Sequence, residues 1–138
     1  MQKDVKIQLA DAWPEEEIIE LYEAGGWWKE HYPPESIESI IEGSFAFAVA
    51  VNAAGKAVGM GRVISDGTSD AWIQDVAVLQ EWRGLGIGHD IIRALVDHCV
   101  RRGLCWIGLV AEPGTREFYT PLGFKELPGE PMVFEPEE

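Results

Sequence analysis

The pattern of apolar and polar residues predicts strands and helices along the whole chain. In the first half, period-two alternation marks a strand at residues 5–9, and helical spacing marks helices at residues 14–24 and 34–43. Two apolar stretches, residues 45–51 and 57–64, flank a turn that contains glycine, and they therefore read as an antiparallel hairpin.

The second half of the chain contains the clearest helix. Residues 71–79 form an apolar central strand, and from residue 87 to residue 102 an apolar stripe at helical spacing lies opposite a charged face. A buried strand is predicted at residues 104–111. Strand, helix and strand in this order imply a right-handed parallel crossover.

The last part of the chain is predicted to add a short helix from residue 113 and two strands, at residues 124–127 and 132–134. No internal repeat, linker or low-complexity segment divides the sequence. We therefore expect one domain over residues 1–138.

Composition narrows the class of protein. The 138 residues are 46% apolar and 25% charged, as in soluble globular proteins. A net charge of −13 disfavours nucleic-acid binding and suits a cationic substrate, although acidic residues also serve solubility alone. No stretch is long enough to span a bilayer, and residues 1–5 lack the apolar core of a secretion signal.

Cysteine and histidine usage bears on compartment and metal binding. Cys99 and Cys105 make no disulfide framework, and we interpret them as small core residues in a reducing cytoplasm. The three histidines have no ligand spacing, so no metal site is predicted.

A glycine-rich turn between the central strand and the clear helix is the first candidate site. The first N–H groups of a helix lack partners within it, and together with the helix dipole they attract anions. The glycines leave room for a phosphate beside the main chain. His89-Asp90 after the last glycine excludes a nucleotide-triphosphatase loop, and the glycine spacing excludes a dinucleotide fingerprint. An ordinary strand–helix connection is the alternative interpretation.

Two motifs carry a resemblance to a known superfamily. Arg83-x-x-Gly86-x-Gly88 resembles the coenzyme A pyrophosphate loop of GNAT acyltransferases, and Phe118-Tyr119-x-x-x-Gly123-Phe124 resembles the signature that follows their fifth strand. The resemblance implies an α/β fold with a central, mostly antiparallel sheet, splayed strands 4 and 5, and flanking helices.

A closer likeness is to plant-type arylalkylamine (serotonin-type) N-acetyltransferases and their bacterial relatives. It rests on Leu21-Tyr22-x-x-x-Gly26-Trp27, on Ser65-Asp66-Gly67 and on the strand that begins at Trp72. It implies an acetyl-CoA-dependent N-acetyltransferase that acts on a small primary amine by direct transfer in a ternary complex. The alternatives are a protein or peptide N-acetyltransferase and a non-catalytic, acyl-CoA-binding regulatory domain.

The resemblance also implies which residues bind coenzyme A. They are the fourth-strand main chain, the glycine loop and the tyrosine of the second motif, namely Val76, Ala77, Val78, Arg83, Gly84, Leu85, Gly86, Ile87, Gly88, His89 and Tyr119. A main-chain N–H of Val76 or Val78 would polarise the thioester carbonyl and stabilise the oxyanion.

Catalytic and acceptor-binding roles are expected at a few further positions. A phenol is protonated at neutral pH, so Tyr119 is the candidate acid for the departing sulfur. Asp75, Glu112 or a water molecule remain as candidate bases; many GNAT members carry Asn at the place of Glu112.

An aromatic loop is the candidate acceptor site. Trp27, Trp28 and Tyr32 are read either as a wall of the amine pocket or as residues that wedge the loop into the core. The expected partner is a small-molecule amine, with no nucleic acid and no membrane. The sequence leaves open whether the chain forms a homodimer.

Overall fold

The structure is a computed structural model that describes residues 4–136. Residues 1–3 and 137–138 lie outside the described residues. The first range is part of the segment in which we expect no secretion signal, and the second is the end of the expected domain. None of the helices between residues 4 and 136 has the length and apolar character that a bilayer crossing needs.

Between residues 4 and 136, five strands form one mixed sheet in the order in which they occur along the chain. They are β1 (Val5–Leu9), β2 (Ala46–Asn52), β3 (Ala57–Ser65), β4 (Asp70–Val78) and β5 (Trp106–Gly108). The first four strands pair antiparallel, whereas β5 lies parallel to β4. The predicted fold class, an α/β protein with a mostly antiparallel central sheet, is confirmed.

Helices cover both faces of this sheet. They are α1 (Glu15–Ala24), α2 (Ser36–Gly43), α3 (Ile87–Arg101) and the short α4 (Arg116–Tyr119). Neighbouring residues of a strand point to opposite faces. On β3, Gly59 and Gly61 face α3, whereas Arg62 reaches towards the α1 side.

Helix α3 packs closely on the sheet because β3 has glycines beneath it. A Cβ atom on Gly59 would lie 3.0 Å from Ile91 Cδ1, and one on Gly61 would lie 2.8 Å from Ile91 Cγ2. The apolar stripe predicted from the sequence is buried, with Ile91 and Leu95 fully covered. The predicted helix at residues 87–102 is confirmed to within one residue.

Strands β4 and β5 run side by side for only three residues. Their pairing runs from Asp70 with Trp106 to Trp72 with Gly108, and β4 then continues to Val78 without β5 beside it. One edge of β4 is therefore open over its second half.

Three predictions about the last third of the chain are wrong. The strand expected at residues 104–111 is limited to Trp106–Gly108, and it is not buried, because Trp106 is 40% exposed. Residues 124–127 and 132–134 form no strands, and the side chains from Met132 to Phe134 are 84–92% exposed. An apolar segment forms a strand only where the edge of another strand is available for pairing. The apolar pattern of the segment does not show whether such an edge exists. Cys99 is buried as expected, but Cys105 is exposed.

Candidate active site

The glycine loop leaves β4 and leads into the N-terminus of α3. Gly84 and Gly86 have φ values of 80° and 82°, a left-handed conformation that favours glycine, and Gly86 is the N-cap of the helix. No side chain caps this end of α3. The N–H groups of its first turn are thus available to an anion.

The lack of a side chain at Gly88 makes room for the ring of Phe118. A Cβ atom at this position would lie 2.9 Å from Phe118 Cζ, so the Phe118 ring occupies the place of a side chain. The neighbouring His89 places Nε2 2.9 Å from the Phe118 carbonyl oxygen and its ring 4.2 Å from the Phe118 ring. The two motifs quoted from the sequence therefore meet in space.

Other side chains of the loop contact the rest of the protein. Arg83 donates through Nε to the Val78 carbonyl oxygen at 2.9 Å and through Nη2 to the Ala24 carbonyl oxygen at 3.3 Å. Ile87 lies in the core, and Leu85 packs partly against it. Contacts from these positions to a bound anion would come mainly from the main chain.

Tyr119 lies in α4, beside the glycine loop. Its half-buried ring makes edge-to-face contacts with Phe118 and Phe124, at centroid distances of 4.9 and 6.0 Å. Within residues 4–136 the Tyr119 hydroxyl has no hydrogen-bond partner. Burial raises the pKa of Tyr119, and the negative charge of Glu112 raises this pKa further. The phenol is therefore protonated at neutral pH and free to donate.

Glu112 lies at the start of the turn that leads into α4. Its side chain is exposed, while its main-chain carbonyl accepts hydrogen bonds from Thr115 N at 3.1 Å and Thr115 Oγ1 at 2.6 Å. The turn is thereby fixed close enough to Tyr119 for the carboxylate charge to act on the phenol.

Asp75 belongs to a β-bulge in the middle of β4. Ala77 pairs with Met60 and Gln74 pairs with Arg62, so Asp75 and Val76 together stand opposite Gly61. Asp75 Oδ2 accepts a hydrogen bond from Arg62 Nε at 2.7 Å and another from the Tyr22 hydroxyl at 2.8 Å.

Sequence reasoning missed Arg62 and Tyr22 as partners of Asp75. One signal was available: Arg62 is the one charged residue within the apolar run of β3, and a charge in a core strand needs a partner. Burial raises the pKa of Tyr22, and the Asp75 carboxylate raises it further, so the Tyr22 hydroxyl remains a donor.

The predicted acceptor residues form an aromatic cluster next to Tyr22. The Tyr22 ring lies 6.3 Å from that of Trp27 and 6.2 Å from that of Trp28, which in turn meets Tyr32 edge-to-face at 5.3 Å. Trp27 folds over Gly25, where a Cβ atom would lie 2.6 Å from its ring. Trp27 and Trp28 also pack partly against the core.

The predicted site residues thus come together in two groups. Asp75 and the aromatic cluster lie on the α1 side of β4, and Tyr119 with Glu112 lies beside the N-terminus of α3. Val76 and Val78 face α3, while Ala77 is buried on the opposite face. In the described part of the chain, no three or more His, Cys, Asp or Glu side chains are arranged to hold a metal ion.

A cavity at the far end of α3 does not include any of these residues. It has a volume of about 410 Å³ and is lined by residues that include Phe45, His98 and Arg102. Since neither the N-terminus of α3 nor any of the predicted site residues lines this cavity, the candidate site stays at the glycine loop.

Comparison with known proteins shows the family of the chain. Residues 8–124 match the profile of a family described as the acetyltransferase (GNAT) family. The chain is 30% identical over 115 residues to the uncharacterized N-acetyltransferase ycf52 of Pyropia yezoensis, covering 81% of this chain and 65% of that protein. It is 37% identical over 75 residues to serotonin N-acetyltransferase 2, chloroplastic, of Oryza sativa subsp. japonica, covering 54% of this chain and 38% of that enzyme. The chain spans less than two thirds of either relative.

Solved structures share the fold at lower sequence identity. A probable acetyltransferase of meticillin-resistant Staphylococcus aureus has a TM-score of 0.80 at 21% identity, covering 95% of this chain and 98% of that chain. Glucosamine-6-phosphate N-acetyltransferase from Arabidopsis thaliana has a TM-score of 0.76 at 19% identity, covering 94% of this chain and 97% of that chain.

Proposed function

The chain belongs to the GNAT family of acetyltransferases, and on this premise we propose that it transfers the acetyl group of acetyl-CoA to a small primary amine within a ternary complex. The observation that carries the proposal is the contact between the two motifs, in which Phe118 packs on Gly88 and brings Tyr119 beside the N-terminus of α3. An anion-binding helix end and a free phenol are then neighbours.

Coenzyme A is proposed to bind mainly through main-chain groups. The uncapped N-terminus of α3 and the left-handed turns at Gly84 and Gly86 offer N–H donors for the pyrophosphate. The unpaired edge of β4 beyond Trp72 offers further donors and acceptors for the pantetheine arm. Because a bulge leaves its extra residue outside the ladder, an N–H near Val76 is a candidate donor to the thioester oxygen.

The proposed reaction is a direct acyl transfer. The ammonium form of the acceptor first releases a proton to solvent. The neutral amine nitrogen then attacks the thioester carbonyl carbon, a C–N bond forms, and the C–S bond breaks. The proton lost from the amine goes to a carboxylate or to water, and the Tyr119 hydroxyl gives its proton to the leaving sulfur. Tyr119 then regains a proton from solvent, so atoms and charges balance.

The acceptor is proposed to be a small amine that is cationic in solution. The net charge of −13 attracts a cation, and aromatic rings such as those near Tyr22 bind ammonium groups and aryl rings alike. The name of the rice relative, a serotonin N-acetyltransferase, favours an arylalkylamine. We further propose that residues 1–138 form one domain; a cytoplasmic location stays a prediction, since the rice relative is chloroplastic.

Calorimetric titration with acetyl-CoA tests the first half of this proposal. We expect saturable binding with a dissociation constant below about 1 mM, the upper range of ordinary substrate constants. Absence of heat at millimolar acetyl-CoA would contradict the assignment.

A screen of acceptors, followed by release of free thiol, tests the second half. Arylalkylamines, polyamines, amino acids and lysine-containing peptides should be compared at equal concentration. Turnover with a small amine supports the proposal, whereas turnover with peptides alone assigns a protein acetyltransferase. Binding without turnover of any acceptor assigns an acyl-CoA-binding regulatory domain.

A further inference from the structure

Asp75 has a backbone conformation that needs an explanation. Within residues 4–136 it is the single non-glycine residue with a positive φ, at 60°. Asparagine, aspartate and glycine adopt this left-handed region more readily than other residues do. The strand would not take up this conformation without contacts that hold it.

The bulge changes the face to which β4 presents its side chains. Before the bulge, Ile73 faces α3 and Gln74 faces the α1 side, so strict alternation would direct Asp75 into the apolar surface of α3. After the bulge, Val76 occupies the α3 side, and Asp75 is directed towards α1.

Two side chains from different elements hold the Asp75 carboxylate in its new direction. Arg62 comes from β3 and Tyr22 comes from α1, and both donate to the same oxygen, Oδ2, at 2.7 and 2.8 Å. The side chains of Arg62 and Asp75 are only 16% and 21% exposed, so water screens the pair weakly. Ser44 Oγ lies 3.4 Å from Arg62 Nη1 and extends the contact to the end of α2.

We propose that Asp75 is a positioning residue, not the base. Together with Arg62 and Tyr22 it forms a clamp, defined as these three side chains, that keeps the β4 bulge formed and the main chain of residues 76–78 directed at the thioester. The inference rests on the proposed function, and it leaves Glu112 or water as the base. Because the Tyr22 ring also contacts the Trp27 and Trp28 rings, the clamp joins the aromatic cluster to the strand that binds the acyl donor.

Three substitutions at Asp75 distinguish the clamp from a base. Asparagine keeps an acceptor and tolerates the left-handed conformation, glycine keeps the conformation alone, and alanine keeps neither. We therefore expect the loss of kcat to be smallest for Asp75→Asn, larger for Asp75→Gly and largest for Asp75→Ala. The loss for Asp75→Asn should be less than about tenfold, and Asp75→Ala should raise the KM for acetyl-CoA at least about tenfold. The pH profile of the rate should be unchanged in all three variants.

A catalytic base gives a different result. All three variants would then lose kcat by a similar factor, about 10²- to 10⁴-fold, together with the acidic limb of the pH profile. That result overturns the proposal. The proposal is also overturned if the three Asp75 variants have lower melting temperatures but unchanged kcat and KM. Asp70→Asn, an exposed carboxylate on the same strand, is the matched control.

Hydrogen exchange of the free protein separates this inference from the proposed function. We expect faster amide exchange at residues 75–78 in Asp75→Ala and in the milder Tyr22→Phe, which keeps the ring and removes only the hydroxyl. If the wild-type chain neither binds nor uses acetyl-CoA, the proposed function fails, but exchange still reports on the clamp. Unchanged exchange in both variants overturns the clamp whatever the activity.

Discussion

At the scale of single residues, the Tyr119 hydroxyl is the group most suited to proton transfer. It is unpaired within residues 4–136, half-buried, and adjacent to the end of α3 where an anion is expected. A phenol in this setting stays protonated at neutral pH. It can give its proton to the sulfur as negative charge develops there when the C–S bond breaks.

Replacing Tyr119 by phenylalanine should therefore lower the rate of chemistry. We expect kcat to fall about 10²-fold or more, within the usual range for a general acid, and acetyl-CoA affinity to change little. Thiol-release kinetics and calorimetry measure the two quantities. Tyr32→Phe, which removes a phenol hydroxyl from the aromatic cluster instead, is the control. It is expected to alter mainly the KM for the amine. Equal effects of the two variants on kcat would contradict the role of Tyr119.

The charge on Glu112 should be visible in the alkaline limb of the rate profile. The negative carboxylate disfavours the phenolate and so raises the pKa of Tyr119. Glu112→Gln removes this charge, and the pKa of Tyr119 should fall. Activity that depends on protonated Tyr119 would then be lost at a lower pH than in the wild type. If the limb does not move, or moves to higher pH, the Glu112 charge does not raise the pKa of Tyr119.

Residue types in a motif did not predict the direction of each side chain. Arg83 was expected at a pyrophosphate, yet its guanidinium bonds to the Val78 and Ala24 carbonyls. At Gly88, the place that a side chain would take is occupied by the ring of Phe118. Both outcomes depend on residues far away in sequence, which a local pattern does not contain.

At the scale of elements, the contact between α3 and β3 sets the position of the candidate site. The glycines of β3 allow α3 to approach the sheet, and α3 then presents its N-terminus beside the open edge of β4. Changes in this contact test the packing of α3 on the sheet.

Gly61→Ala should destabilise the protein through overpacking. The added Cβ would lie 2.8 Å from Ile91 Cγ2 and 3.2 Å from Leu95 Cδ1, and core insertions of this kind cost about 1–3 kcal/mol. The free energy of unfolding in urea measures the effect. Gly43→Ala, where a Cβ meets nothing within 4 Å at the end of α2, is expected to be neutral or slightly stabilising. Similar losses at both positions would contradict the close contact.

Gly86→Val should weaken acetyl-CoA binding by more than its cost in stability explains. The valine must adopt a φ of 82° at the N-cap of α3, a strain of about 1–2 kcal/mol, and its side chain enters the proposed anion site. Calorimetry and thermal melting separate the two effects. Gly55→Val has the same strain at φ 83° in the distant hairpin turn. Binding that is equally strong in both variants would argue against the loop as the pyrophosphate site.

Helices were easier to predict than strands, and α3 shows why. Its apolar stripe is complete within one segment, so the pattern gave both ends to within one residue. The strand around Trp106 and the segment from Met132 to Phe134 depend on partner strands, and apolar residues alone predicted too much sheet there. The bulge at Asp75 also lay beyond prediction, because strict alternation gives no sign of an extra residue.

At the scale of the whole molecule, the net charge of −13 acts in opposite directions on the two proposed substrates. Acetyl-CoA is an anion and the amine is a cation, so the protein repels the first and attracts the second. Salt screens both effects, since the Debye length falls from about 30 Å at 0.01 M to about 8 Å at 0.15 M.

Raising the salt concentration over this range should therefore lower the KM for acetyl-CoA and raise the KM for the amine. Steady-state kinetics with each substrate varied in turn measure both constants. An uncharged osmolyte at matched osmolality should leave them unchanged. Movement of both constants in the same direction would contradict the electrostatic explanation.

The exposed apolar side chains of Met132, Val133 and Phe134 and the unpaired outer edge of β5 have a practical consequence. At neutral pH the net charge of −13 makes copies of the chain repel one another, and near the isoelectric point of about 4.5 this repulsion vanishes. The pH of purification and storage buffers is best kept well above this value. In mildly acidic buffers the exposed apolar side chains and the strand edge of different copies can associate, and we expect the protein to precipitate.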